Sequence, residues 1–461
     1  MNKRKKNILL HAGLPFIALA TVVVGIYLWF FAPKDYRDLI PAESKAVMSL
    51  DAQMVQKLVE AAGLPMADGA AALGIATDEA LFAFITPNEY FALTASVIDA
   101  RKVTQLVARL AKTKAAGPVR HEDGVSLAWL NRGWQLAWTD KALLLLGPGT
   151  AQLQDELRQT ALQLFKARRT ASFRYSDKAS LFDELEGEVR LYCAADALPS
   201  PLGLLLRLGT PAAVDASKVQ LFASLTKGAD GMQGLGQLTS TDDAVREQLE
   251  AYAKSLPSAS QLLLPADASA GVLSLAARVR GEEAERLLLT DATAKPLLAA
   301  ISRDIDLRTV LRSVNGLTLH VEALGKDFVP TFSLLAPVDS TKQLAPAEKW
   351  IRTSGLPTDS ASVRRAGRGY VLQRDGRSLF FGQADGYVWF ASQEQLVPTA
   401  IAALPKAEDT GRISVQVDAP RLLKQPALQG TAAALLKNLL GSSQRLTLKL
   451  ADDGKFELSV Q

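Results

Sequence analysis

Arg445-Leu446-Thr447-Leu448-Lys449-Leu450-Ala451-Asp452-Asp453-Gly454-Lys455-Phe456-Glu457-Leu458-Ser459-Val460 reads as a β-hairpin. Leu446, Leu448 and Leu450 alternate with polar residues, as do Phe456, Leu458 and Val460, and Asp453-Gly454 supplies the turn. Period two on both arms predicts an antiparallel sheet with one covered face. Further back the alternation recurs in a fixed context: a strand, an Asp, then an amphipathic helix. Val47–Leu50 precedes Asp51, Ala95–Ile98 precedes Asp99, and Val189–Ala195 precedes Asp196. Phe332–Val338 precedes Asp339, and Ile413–Val417 precedes Asp418. An Asp there accepts hydrogen bonds from the free amides of the first helical turn, and its charge suits the positive helix end. After Asp99, Val103, Leu106, Val107 and Leu110 keep the 3–4 spacing of a one-sided helix.

These units also recur at long range. Asp99 and Asp339 are 240 apart, Asp196 and Asp418 222, Gly209 and Gly441 232, and the Asp230-Gly231 and Asp453-Gly454 turns 223. The expected fold is therefore α+β, with two tandem copies of an antiparallel sheet, residues 42–255 and 268–461, each with helices on one face. A helix over 242–255 bridges the copies. Strands are expected at 125–130, 134–138, 142–146, 362–373, 378–382 and 387–391, and Ser392 with Gln395 forms a capping-box pattern.

The chain has 461 residues and is 48% hydrophobic, enough for substantial cores. Its formal charge of +4 is supplied by Lys3, Arg4, Lys5 and Lys6, which leaves the body neutral and excludes a basic nucleic-acid-binding surface. Residues 1–7 form a cytoplasmic basic segment, 8–31 an apolar transmembrane helix and 32–41 a linker. At ~1.5 Å per residue the apolar run spans about 36 Å, longer than the hydrocarbon layer. The positive-inside rule then predicts a single-pass inner-membrane protein with a periplasmic body. A cleaved signal peptide ending near Ala18-Leu19-Ala20 is the rival, but apolar sequence continues past Ala20. The lone cysteine, Cys193, lies deep in the body, so the chain has no acylation site and no internal disulfide.

The stretch Leu39-Ile40-Pro41-Ala42-Glu43-Ser44-Lys45-Ala46-Val47-Met48-Ser49-Leu50-Asp51 resembles the opening of a family of membrane- or lipid-anchored bacterial envelope proteins of unknown function with repeated strand–Asp–helix units. The resemblance implies an envelope location and carries over no catalytic residue.

Chemistry-bearing motifs are sparse. His320 shares an alternating face with Thr318 and Glu322, read as a wet sheet face, and His121 lies in a turn. Three histidines and one cysteine give a metal site little support. Ser224-Leu225-Thr226-Lys227 matches a Ser-x-x-Lys spacing, but Val219, Leu221, Ala223 and Leu225 alternate as a strand. Gly228, Gly231, Gly234 and Gly236 read as a hairpin and a glycine-weakened strand rather than a nucleotide loop. Two surface features remain. Aromatics recur on one hairpin of each half, Trp129, Trp134 and Trp138 with Tyr387 and Trp389, and Arg364, Arg365 and Arg368 cluster near another. The expected function is a non-enzymatic binding or scaffolding module without cofactor, meeting an envelope protein, lipid or glycan. The alternative is an extracytoplasmic hydrolase whose site is assembled from residues distant in sequence.

Overall fold

Antiparallel pairing dominates the computed structural model, which describes residues 35–51, 73–76, 78–198, 202–228, 231–264, 271–290, 295, 307–325, 329–338, 361–374, 377–398, 400–407, 411–426 and 444–460. The chain divides into two units, Met1–Glu184 and Leu185–Gln461.

In the first unit, β1 (Ala46–Leu50), β2 (Leu81–Ile85) and β3 (Phe91–Ser96) lead to helix α1 (Ala100–Lys112). A meander follows, β4 (Arg120–Glu122), β5 (Val125–Leu130), β6 (Trp134–Trp138) and β7 (Ala142–Gly147), then α2 (Gln154–Lys166) and α3 (Asp177–Asp183). The strands pair antiparallel in the order β1–β2–β3–β7–β6–β5–β4. Asp99 caps α1, accepting from the Arg101 amide at 3.0 Å. One sheet face carries Ala128, Leu136 and Trp138, which pack on Val103 and Val107 of α1. Strand alternation sends Leu127, Ala137, Leu144 and Leu146 to the other face, where they are equally buried. There α2 contacts β5, β6 and β7 and buries Leu157 and Ala161. Helices thus cover both faces, not one. The physical reason is that β6 and β7 are apolar at almost every position, so neither face can remain in water.

The second unit contains β8 (Val189–Ala194), α4 (Leu202–Leu208), β9 (Gln220–Gly228), β10 (Gly231–Thr239), α5 (Asp243–Ser255), β11 (Leu273–Ala277), α6 (Gly281–Thr290) and α7 (Leu307–Ser313). It continues with β12 (Leu317–Leu324), β13 (Pro330–Pro337), β14 (Ala361–Ala366), β15 (Gly369–Arg374), β16 (Arg377–Ala384) and β17 (Tyr387–Ala391). Last come β18 (Ile413–Asp418), α8 (Ala419–Leu423), β19 (Arg445–Leu450) and β20 (Lys455–Val460). These strands pair in the unbroken order β8–β9–β10–β20–β19–β18–β11–β12–β13–β17–β16–β15–β14.

This order corrects the expectation of two tandem sheets. Strand β10, at the end of the first expected copy, pairs with β20 at the end of the second, from Met232↔Val460 to Gln237↔Lys455. Each would otherwise expose a row of unpaired amides and carbonyls, and pairing them removes both edges. The pairings do repeat with an offset of ten: the series β1–β2–β3–β7–β6–β5–β4 reappears as β11–β12–β13–β17–β16–β15–β14, and β8–β9–β10 as β18–β19–β20.

Between β8 and β12, one face carries Leu221, Ala223, Leu238, Leu275, Ala277, Ile413, Val415, Leu450 and Phe456. These pack on Leu208, Val245, Leu249, Ala284 and Leu287 from α4, α5 and α6. Asp242 caps α5 through the Ala244 and Val245 amides, and Asp418 caps α8 through the Arg421 amide at 2.8 Å. Asp196 instead lies inside a short 3-10 turn, Ala195–Ala197. The expected strand 362–373 is two strands, because Gly367 takes φ +54° and turns the chain between β14 and β15. Ser392 and Gln395 form no capping box; only a 3-10 turn, Glu394–Leu396, follows β17.

No helix among the described residues is long and apolar enough to cross a membrane. Residues 8–31, the expected transmembrane helix, lie outside the described residues, as do the helix expected after Asp51 and, beyond the strand β13, Asp339 with the helix expected after it.

Candidate functional site

Of the five aromatic residues singled out in the sequence, Trp138 and Trp389 lie in cores and Trp129, Trp134 and Tyr387 are half-buried. Trp138 is 1% exposed, and its Nε1 donates to Thr104 Oγ1 of α1 at 3.3 Å. Trp389 is 2% exposed and packs with Leu263, Leu335 and Ile401. Trp134 is half-buried and meets Phe91 edge-on at 6.1 Å between ring centroids. Trp129 is half-buried opposite Gln135. The half-buried Tyr387 donates from Oη to the Gln261 carbonyl at 2.8 Å, and burial raises its pKa. Arg364 and Arg365 are exposed but consecutive on β14, so they point to opposite faces. Arg368 is exposed in the turn after them.

What the structure assembles instead is a row of polar side chains crossing the second unit. Residues directly opposite in antiparallel strands share a face, so the register can be followed from strand to strand. Ser333 of β13 lies opposite His320 of β12, and His320 opposite Ser274 of β11. Ser274 lies opposite Gln416 of β18, Gln416 opposite Thr447 of β19, and Thr447 opposite Ser459 of β20. Ser459 lies opposite Gln233 of β10, which lies opposite Thr226 of β9. Eight strands thus contribute one uncharged or imidazole side chain each, at a spacing of ~4.8 Å, and the row is about 34 Å long.

The row is closed at one end and open at the other. His320 is 2% exposed and its Nδ1 lies 3.1 Å from Ser274 Oγ. The chain at Gly271 passes over its ring so closely that a Cβ there would come within 2.1 Å of His320 Cε1. Beside it Thr318, 1% exposed, donates to the Leu263 carbonyl at 2.7 Å. His320 and Thr318 are therefore buried, not wet: the segments around Leu262–Leu264 and Ala407 cover this part of the sheet. Beyond β11 the face opens. Gln416, Gln233 and Thr226 are exposed, and Thr447 and Ser459 are half-buried. The next row along the open strands holds Lys449, Glu457 and Leu235, with Leu235 61% exposed.

Ser, Thr and Gln present donors and acceptors together, so such a face can hydrogen-bond hydroxyls and amides without paying for a buried charge. It carries no nucleophile–base pair of the Ser-x-x-Lys type. Ser224 and Lys227 are three apart on β9 and point to opposite faces. Among the described residues no group of three or more His, Cys, Asp or Glu side chains could hold a metal ion. Cys193 on β8 is buried, and desolvation pushes its thiol up to about 12. Sequence reasoning sees each of these polar positions as the outward half of an alternating strand, yet only the register lines them up.

Comparison with known proteins adds little chemistry. A search of curated proteins returns no match. Among solved structures, crystal form IV of TP0453 aligns with a TM-score of 0.31 and 11% identity, over 44% of this chain and 80% of that one. Crystal form I of the same protein aligns with a TM-score of 0.30 and 9% identity, over 49% and 88%. At these scores the likeness supports no inference about fold or function. Residues 64–403, well over half of the sequence, match the model of a family described as a domain of unknown function, DUF4836, and the chain belongs to that family.

Proposed function

We propose that the protein is a binding module of the cell envelope, without catalytic activity of its own, that holds an uncharged, hydroxyl-rich polymer against the open polar face of β18, β19, β20, β10 and β9. The observation that carries this reading is the register of Gln416, Thr447, Ser459, Gln233 and Thr226, five aligned hydrogen-bonding side chains on adjacent strands. Their lack of charge suits a neutral glycan better than an anionic lipid head group or a nucleic acid. The row runs across the strands, which suits a chain lying over the sheet rather than one adding to its edge. The basic residues Lys3 to Lys6 and the apolar run 8–31 support a body held at the outer side of a membrane.

The test is binding of the full chain in detergent to an array of neutral glycans, with extended peptides and phosphatidylglycerol vesicles as competing probes. The expected result is retention of a neutral glycan class, weakened at least tenfold by Gln416→Ala combined with Gln233→Ala. Retention that ignores this double substitution, or retention of the peptides or vesicles alone, overturns the reading.

A further inference from the structure

A buried network at the rim of the second unit holds more positive charge than its carboxylates neutralise. Arg278, just past β11, donates from Nε to the Pro257 carbonyl at 2.5 Å and from Nη2 to the Leu256 carbonyl at 3.4 Å. Its Nη1 pairs with Asp452 Oδ1 at 2.6 Å. Its backbone amide donates to the Arg412 carbonyl at 2.7 Å, which places Arg412 immediately beside it. Arg412, 3% exposed, gives Nη1 to the Gly209 carbonyl at 3.2 Å and Nη2 to the Asp452 carbonyl. Its Nε has no hydrogen-bond partner among the described residues.

The nearby carboxylates are committed elsewhere. Asp452 pairs with Arg278, Asp453 with Lys455 at 2.9 Å, and Glu283 with Arg286 at 3.2 Å. The second Glu283 oxygen also accepts from the Ala212 amide at 2.7 Å. Among the described residues Arg412 is left with carbonyls alone. The buried Tyr252 of α5, coupled electrostatically to Arg412, faces the Arg280 amide at the start of α6, yet its hydroxyl makes no hydrogen bond. Burial holds Arg412 below its ordinary pKa, although Asp452 and Asp453 act in the opposite direction. A buried guanidinium nitrogen and a buried hydroxyl that both lack a hydrogen-bond partner are costly, and a small anion satisfies both at once.

We infer that Arg412, Tyr252 and the Arg280 amide form the seat of a small oxyanion, bound where the chain after α5, the start of α6 and the β19–β20 hairpin converge. The guanidinium offers Nε, the tyrosine offers its hydroxyl, and Arg280 offers its backbone amide. This inference stands apart from the polar face, which carries no charge in its row.

The test uses the full chain in detergent and inorganic phosphate as the probe, with chloride at matched ionic strength as control and phosphatidylglycerol vesicles as a parallel arm. The expected result is a saturable rise in the unfolding midpoint with phosphate, at least halved in Tyr252→Phe and absent in Arg412→Met. If Arg412→Met does not fold, Tyr252→Phe decides alone. Saturation by the vesicles but not by free phosphate assigns the anion to a lipid head group. A rise that never saturates, or that is equal in wild type and Tyr252→Phe, overturns the site and leaves a buried water as the occupant.

Discussion

The joint between β10 and β20 can be tested at one residue. Gly236 lies opposite Phe456 on β20 and Ala223 on β9. A Cβ at 236 would sit 2.0 Å from Phe456 Cε1, 2.7 Å from its Cζ, and 2.2 Å from the Phe222 carbonyl oxygen. The ring can swing, although Phe456 is itself buried in the cluster under α4 to α6. The carbonyl belongs to the backbone of β9 and cannot retreat without disturbing the β9–β10 ladder. Overpacking of this kind costs roughly 1–3 kcal/mol, and a backbone clash belongs at the upper end. Alanine restricts the unfolded chain and returns about 0.5–1 kcal/mol. The net loss for Gly236→Ala is about 2 kcal/mol, or roughly thirtyfold in the opening equilibrium of this region. Hydrogen exchange read by mass spectrometry would report it as faster exchange in residues 231–239 and 455–460, with residues 125–147 of the first unit unchanged. Adding Phe456→Leu removes the ring contact but not the carbonyl contact, so rescue is expected to be partial. Wild-type exchange in Gly236→Ala, or full rescue in the double variant, would refute the reasoning.

Three further outcomes are expected. Trp138→Ala empties a fully buried site under α1 and costs about 3–5 kcal/mol; a thermal midpoint for the first unit that does not fall would contradict its place in the core. Cys193, with its pKa pushed up to about 12, carries almost no thiolate at pH 8, so a disulfide reagent modifies it only on unfolding, and rapid labelling of the native protein would count against its burial. The hydrogen bond from Lys218 and the amides of Val245 and Ala244 hold Asp242 below the ordinary aspartate value of 3.8. Its stabilising effect is therefore present above that pH and lost as pH falls through the depressed folded value. Asp242→Ala should weaken the protein at pH 7, with the difference from wild type narrowing as pH falls through that depressed value, and a loss independent of pH would exclude the charge as its cause.

The strands were legible because their signal is local. Leu446, Leu448 and Leu450 fall opposite Val460, Leu458 and Phe456, as alternation on two arms of a hairpin requires. Asp99 and Asp418 were legible as caps for the same reason: a capping side chain reaches amides only two or three residues away. Asp196 shows the limit, since its strand runs straight into a 3-10 turn that it does not cap. The candidate site was far less legible. Trp138 and Trp389 stood out by size and hydrophobicity, and those properties put them in cores.

What the sequence by itself determined is therefore the set of elements: alternating strands, one-sided helices, the turn at Asp453-Gly454 and a recurrence of their order along the chain. Only the tertiary structure decided that β10 pairs with β20, that helices cover both faces around β6, and that His320 is buried while Gln416 and Gln233, in the same row, are open. Periodicity states which side chains share a face of one strand but says nothing about that strand's neighbours. Neighbours are chosen by hydrogen-bonding an otherwise exposed edge and by fits such as the ring of Phe456 over the bare backbone of Gly236, which join residues more than two hundred positions apart.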